Sequence, residues 1–202
     1  FDPDGSADLL DDGVPLYELT APGARPLDLG ITVGLPISFG ADGTFAITRG
    51  PNRYAWLTKS VAICSAAAAH CSPVPTPRGV LSFDPAFSPS GATLAFVEAP
   101  SSRAGNIGQA TVRSWYATHS LWLLQSGSST PRRVPGTGGA ASPAWSADGQ
   151  SLLYVSNDAL WLLPTTSSRP VRIVAPLFPR GDWNSFFGEI DWASQFAWQS
   201  ND

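Results

Sequence analysis

The sequence predicts an all-β fold, a β-propeller of four-stranded antiparallel blades. Three observations carry this: a recurring aromatic-to-turn motif, a short apolar strand after each turn, and no capped helical period over ten or more residues. The motif is plainest in "PAWSADGQSLLYV" (143–155), where Asp148-Gly149 between apolar segments is a strong hairpin signal. Aligned on the turn glycine, "PISFGADGTFAIT" (36–48) and "PAFSPSGATLAFV" (85–97) repeat it, with Phe39, Phe87 and Trp145 at the aromatic position and Gly43, Gly91 and Gly149 closing the turns. Both ends of the chain join the series. "FDPDG" opens it with Phe1 and a turn that lacks its preceding strand, and "QFAWQSND" closes it with Trp198 and a strand that lacks its turn. A self-similar period of roughly 40 to 50 residues with about four strands per unit is the signature of propeller blades.

Each unit reads on as strands. After the turn at 149 come 151–155, then "ALWLLP" with Trp161, then "RPVRIVA" as the outer strand. The preceding unit repeats the order with "TLAFVEA", "SLWLLQS" and "PRRVPG", which puts Arg132 and Arg133 on an exposed outer strand. The first unit offers "GVPLYELTA" followed by "ARPLDLG". The near-continuous apolar runs around Trp122 and Trp161 suit strands covered on both faces by neighbouring blades. In the unit beginning at 36 the Leu-Trp step is replaced by "YAWLTK", and an insertion is expected to follow. The units expected within one domain, 1–202, are 1–35, 36–84, 85–141, 142–190 and a closing strand, 191–202. Because a ring must not leave open strand edges, the spare strand "SQFAWQ" (194–199) is expected to complete the first unit and make a composite fourth blade. The alternatives are a larger propeller of which this is part, or self-association of two copies through the terminal half-blades.

"PAWSADGQSLLYVSNDALWLL" and "PAFSPSGATLAFVEA" followed by "HSLWLLQ" resemble the short repeat of TolB-like propellers, a WD-repeat-like pattern of Pro-x-Trp-Ser-x-Asp-Gly, apolar residues and then Leu-Trp. The repeat is similar as well to that of the non-catalytic propellers in prolyl-oligopeptidase-type peptidases. The resemblance implies a propeller that binds a protein or peptide through its blade-connecting loops. It specifies fold far better than function.

Composition agrees with a packed β domain. At 202 residues the chain can bury roughly 70% of its unfolded surface, and 43% hydrophobic with 11% aromatic residues supplies a core. A net charge of −4 without a basic run argues against nucleic acid as a partner. No apolar stretch is long enough for a transmembrane helix. The chain contains no methionine, as expected of a processed chain or part of a longer one, and a removed signal peptide would fit. Cys64 and Cys71 flank "SAAAAH" in what reads as a loop, and are expected to form a disulfide, which places the chain in an extracytoplasmic, oxidising setting: secreted, periplasmic or cell-envelope.

Few residues of the sequence point to chemistry. No nucleophile elbow, metalloprotease helix, phosphate loop or dinucleotide fingerprint occurs. Of the two histidines, His70 lies beside the cysteines and His119 is expected at a loop or strand edge. Asp2, Asp4 and Asp8 faintly resemble a calcium loop but are explained by turn chemistry. "RGD" at 180–182 is a chance-level match and receives no adhesive role. The aromatic tail 178–198 is read as closure of the ring or as an exposed patch for a partner or sugar. The long segments 53–79 and 100–118 are read as hairpins that could serve as binding loops.

The expected function is therefore a non-catalytic extracytoplasmic propeller that binds a protein or peptide, with no cofactor and no metal. The expected channel-mouth residues, just before the innermost strands, are Asp84, Ser142, Asp191 and Trp192. A glycosidase or lyase in the channel, or a structural accessory domain of a larger processed protein, are the alternatives.

Overall fold

The computed structural model describes residues 14–18, 21–23, 25, 27–41, 43–50, 59–65, 70–101, 114–167 and 169–177. Strands dominate. β1 (Val14–Glu18), β2 (Leu27–Phe39), β3 (Thr44–Arg49), β4 (Ser60–Ser65) and β5 (His70–Pro73) form a five-stranded sheet in sequence order. β6 (Val80–Phe87), β7 (Thr93–Pro100), β8 (Ser120–Gln125) and β9 (Arg132–Arg133) form the second sheet, and β10 (Ala141–Trp145), β11 (Ser151–Ser156), β12 (Ala159–Pro164) and β13 (Val171–Val174) the third. All pairings are antiparallel between sequence neighbours, which is the blade meander of a propeller. Among the described residues the α-helical turn is at 114–116.

β2 belongs to two hairpins. Its first half, through Val33, pairs with β1, and its second half, from Gly34 to Phe39, pairs with β3. The hairpin expected from "GVPLYELTA" and "ARPLDLG" is therefore present, and its outer strand runs without a break into the inner strand of the next blade. The ends expected to close the composite blade, with Phe1, Asp2, Asp4, Asp8 and the strand at 194–199, lie outside the described residues. So do Asp191, Trp192, the RGD tripeptide and the aromatic tail from 178 onward.

The three turn glycines adopt the same left-handed conformation, φ 69° at Gly43, 70° at Gly91 and 68° at Gly149. That conformation is why glycine recurs there. The residue after the repeat aromatic ties each turn. In the third blade the Ser146 backbone N–H donates to Ser151 O at 2.9 Å and the Ser151 N–H donates to Ser146 Oγ at 2.9 Å. Ser88 and Thr93 make the same two bonds at 2.8 and 3.1 Å. In the first blade the turn is one residue shorter and glycine replaces the serine. Gly40 N–H still donates to Thr44 O at 2.9 Å, but a Cβ on Gly40 would lie 2.7 Å from Thr44 Oγ1. The threonine hydroxyl fills the space that the serine side chain occupies elsewhere.

The blades pack face to face. Leu94 and Phe96 of β7 alternate toward the first sheet, where they meet Ala46 and Val61, while Ala95 faces the third sheet with Leu152, Tyr154 and Leu163. Every residue from Leu94 to Ala99 is buried, which explains why "LAFVEA" is almost continuously apolar. The repeat aromatics register adjacent blades. Trp145 Nε1–H donates to the carbonyl of Ala86 at 3.0 Å. Phe87 has no ring donor, and there the contact is made in reverse chemistry: its backbone N–H donates to Ser38 Oγ at 2.7 Å. Phe39, by contrast, is 71% exposed.

The sequence expectation for the first blade needs one correction. The strand beside β3 is Ser60–Ser65, not "YAWLTK", and it pairs along its whole length from Thr44↔Ser65 to Arg49↔Ser60. Residues 60–73 are thus the two outer strands of the blade and no insertion. Cys64 and Cys71 face each other across the β4–β5 ladder and form a disulfide, with Cys64 buried against Phe45 and Ile47. This clip closes a small loop across the outer hairpin. Replacing both cysteines by serine is expected to destabilise by about 2.5 kcal/mol on loop-closure grounds, measured by urea unfolding. The same loss should follow reduction of the unaltered chain, and a change below about 0.5 kcal/mol would contradict it.

Candidate functional site at the inner strands

The strands β6 and β10, which begin the second and third sheets, come together with β2, and β2 and β10 each pack on β6. Each has a register break at a residue that precedes proline: between Gly34 and Ile37, between Phe83 and Ala86, and between Ala141 and Ala144. Proline has no N–H for the ladder, so it is accommodated at such irregularities. The repeated Pro36, Pro85 and Pro143 of the sequence motif therefore mark a structural bulge in every inner strand.

Two of the expected site residues occupy these bulges. Asp84 and Ser142 both have left-handed backbones, φ 51° and 47°. Neither conformation is easy for a side-chain-bearing residue, at about 1 to 3 kcal/mol each, so surrounding structure must impose it. The two residues are bonded to each other. The Ser142 backbone N–H donates to Asp84 Oδ2 at 2.9 Å and the Ser142 hydroxyl approaches the same oxygen at 3.4 Å. This bridge joins two blades. The residues lie within β6 and β10, not just before the inner strands as the sequence suggested.

A cavity of about 260 Å3 opens where the three strands meet. Ile37 and Ser38 come from β2, Asp84, Pro85 and Phe87 from β6, and Ser142, Pro143 and Trp145 from β10. Its walls are proline and aromatic, and its polar groups are the Asp84 carboxylate and serine hydroxyls. Trp145 is fixed by its bond to Ala86, so the wall it contributes is preformed. Among the described residues no group of three or more histidine, cysteine, aspartate or glutamate side chains is placed to hold a metal ion.

Two ionisable groups not expected at the site, Glu98 and His119, are buried nearby. Glu98 on β7, paired across the ladder with Ser82 and Ser120, is 3% exposed, and its Oε1 has no hydrogen-bond partner. Burial pushes its carboxyl up to about 7. A signal for it was present, since Leu94, Phe96 and Glu98 share one face of an alternating strand. His119 sits where expected in sequence, directly before β8, but is buried instead of edge-exposed. Its ring is enclosed by Phe83 at 4.9 Å, Trp115 at 4.8 Å and Tyr116 at 4.8 Å. Nδ1–H donates to Ala140 O at 3.2 Å and Nε2 has no partner, a tautomer assigned from these contacts. Burial drives the ring down to about 3, against the opposing pull of the Ala140 carbonyl, so His119 is neutral. The other histidine, His70, lies on the exposed outer strand β5 within reach of Ser72 Oγ at 3.3 Å.

No protein-family profile and no curated protein sequence matches the chain. Solved structures do. A prolyl endopeptidase aligns with a TM-score of 0.56 at 13% identity over 81% of this chain and 26% of its own. A protein described as TolB, from Agrobacterium tumefaciens, aligns at 0.53 and 17% over 79% and 56%. An oligogalacturonate lyase in complex with manganese aligns at 0.51 and 12% over 73% and 36%. These similarities support the propeller fold. The chain spans between about a quarter and just over half the length of these structures.

Proposed function

We propose that this chain is a non-catalytic, extracytoplasmic β-propeller that binds a protein or peptide at the face where its inner strands meet. The observation that carries the reading is the Asp84–Ser142 bridge, which holds two strained pre-proline residues open to a preformed cavity walled by proline and aromatic rings. Grooves of that lining dock extended peptide segments, because apolar rings supply contact area while few polar groups fix orientation. The rigid inner strands hold these groups in place, so little ordering cost attends binding. The disulfide between Cys64 and Cys71 supports the oxidising compartment. No helix among the described residues is long and apolar enough to cross a membrane.

The test uses a random displayed-peptide library selected against the folded chain, with affinities of enriched peptides read by fluorescence anisotropy. Asp84→Gly is the informative variant, since glycine accepts the left-handed backbone but removes the bridge. It should weaken binding by about tenfold, the value of one lost charge-assisted hydrogen-bond network. If no peptide family enriches, or if enriched peptides bind Asp84→Gly as tightly, this reading is wrong. Cleavage of oligosaccharides by the chain in a parallel assay would move the lyase or glycosidase alternative ahead.

A further inference from the structure

A second cavity, of about 550 Å3, lies between the second and third blades at the end that carries the turns. It is distinct in lining from the inner-strand cavity, sharing only Trp145 with it. Its floor is apolar, made by Trp145, Leu163 and Leu123, three residues that also pack on the core between these blades. Its rim is rich in hydroxyls, from Ser90 and Thr93 on one side and Thr166 and Ser167 on the other. Thr93 Oγ1 donates to Gln125 Oε1 at 3.2 Å, which orients the Gln125 amide and leaves its two N–H donors for a ligand.

Arg132 supplies the charge. It projects from β9 into the rim, and no side chain among the described residues pairs with it. The residues lining this groove include no acid, so Arg132 sets its sign. An anion with a carboxylate plane would meet the guanidinium in two parallel hydrogen bonds. A ligand that satisfies the whole groove has one flat apolar face for the tryptophan, several hydroxyls for the rim and one carboxylate. We infer that the groove between the second and third blades binds a sugar acid, with Trp145 beneath the ring, Gln125 and the Thr93 and Thr166 hydroxyls on its hydroxyl groups, and Arg132 on its carboxylate. A cavity of this size falls within the usual range for small-molecule sites.

This is a site apart from the inner-strand cavity, and it stands whether or not that cavity binds peptide. The test is isothermal titration with D-glucuronate and D-galacturonate, using D-glucose and acetate as probes of the hydroxyl and carboxylate halves and a dipeptide with a free C-terminal carboxylate as the competitor. One of the uronates should bind in the millimolar range or tighter, and glucose and acetate about tenfold more weakly or worse. Arg132→Gln should weaken uronate binding by about tenfold and leave glucose unchanged, since it removes the charge alone. Gln125→Leu should weaken uronate and glucose together. Both positions are exposed, so the variants keep the fold, which thermal melting checks. Absence of uronate binding, an Arg132→Gln variant that binds as tightly as the unaltered chain, or a dipeptide or acetate that binds as well as the uronate would each overturn the assignment.

Discussion

Gly91→Ala is expected to destabilise the chain by about 3 to 5 kcal/mol, whereas Gly43→Ala and Gly149→Ala should each cost only about 1 to 2. The three glycines close equivalent turns with φ angles of 70°, 69° and 68°, so the backbone penalty for adding a methyl group is the same at each. Their surroundings differ. A Cβ on Gly91 would lie 2.8 Å from the backbone nitrogen of Ala41 and 3.0 Å from its Cβ. At Gly149 the nearest atom is Pro89 Cδ at 3.5 Å, an ordinary contact, and at Gly43 nothing lies within 4 Å. Relief at Gly91 would require the turns of the first and second blades to part, because the obstructing atom is main chain. Urea unfolding of the three variants separates the shared conformational term from the packing term. Three equal losses would show that the first two blades do not meet at their turns.

That comparison also marks how much the sequence disclosed. The recurrence of Phe39, Phe87 and Trp145 ahead of a turn glycine was enough to set the repeat, because hairpin turn and strand alternation are local physics. It did not reveal that the middle turn is wedged against its neighbour, since Ala41 and Gly91 are brought together by blade packing alone. The outer hairpin of the first blade was misplaced for a related reason. "SVAICS" lacks the Leu-Trp step of its counterparts, and only its pairing with β3 identifies it as a blade strand.

The geometry of the candidate site was not legible in the sequence. Asp84 and Ser142 were singled out as residues expected just before the innermost strands, but the bulges, the left-handed backbones and the bridge between them arise from the meeting of two blades. Nothing local to "FDP" (83–85) or "ASP" (141–143) distinguishes a strained pre-proline residue from a relaxed one. The groove carrying Arg132 was legible still less. Its walls come from six segments of two blades, and the same arginine read in isolation is an exposed outer-strand residue, which it also is.

Glu98→Gln is expected to leave stability unchanged near pH 4.5 and to raise it by about 3 kcal/mol at pH 7.5. The ordinary value for a glutamate is 4.5 and burial lifts Glu98 to about 7. Between these values the folded chain keeps a proton that the unfolded chain has released, so stability falls as pH rises through the window and the penalty is complete above 7. His119 works in the opposite sense. Its ordinary value of 6.5 drops to about 3 in its cage of rings, so between 3 and 6.5 the unfolded chain binds the proton that the folded chain refuses. Its contribution is whole above 6.5 and is lost progressively as pH falls toward 3. The two slopes oppose each other between 4.5 and 6.5, each about 1.4 kcal/mol per pH unit, and nearly cancel there. The unaltered chain should therefore show a flat contribution from this pair across that interval, a decline above it from Glu98 and a steeper decline below it from His119. In Glu98→Gln the interval should acquire the rising slope of His119 alone. In His119→Gln, which also loses ring packing and so starts lower, the interval should show the falling slope of Glu98 alone. Urea unfolding at half-unit steps from pH 4 to 8 measures all three curves. Because the readout is the difference in slope between variant and unaltered chain, the titration of other carboxylates drops out, and parallel curves would mean that neither group is buried as described.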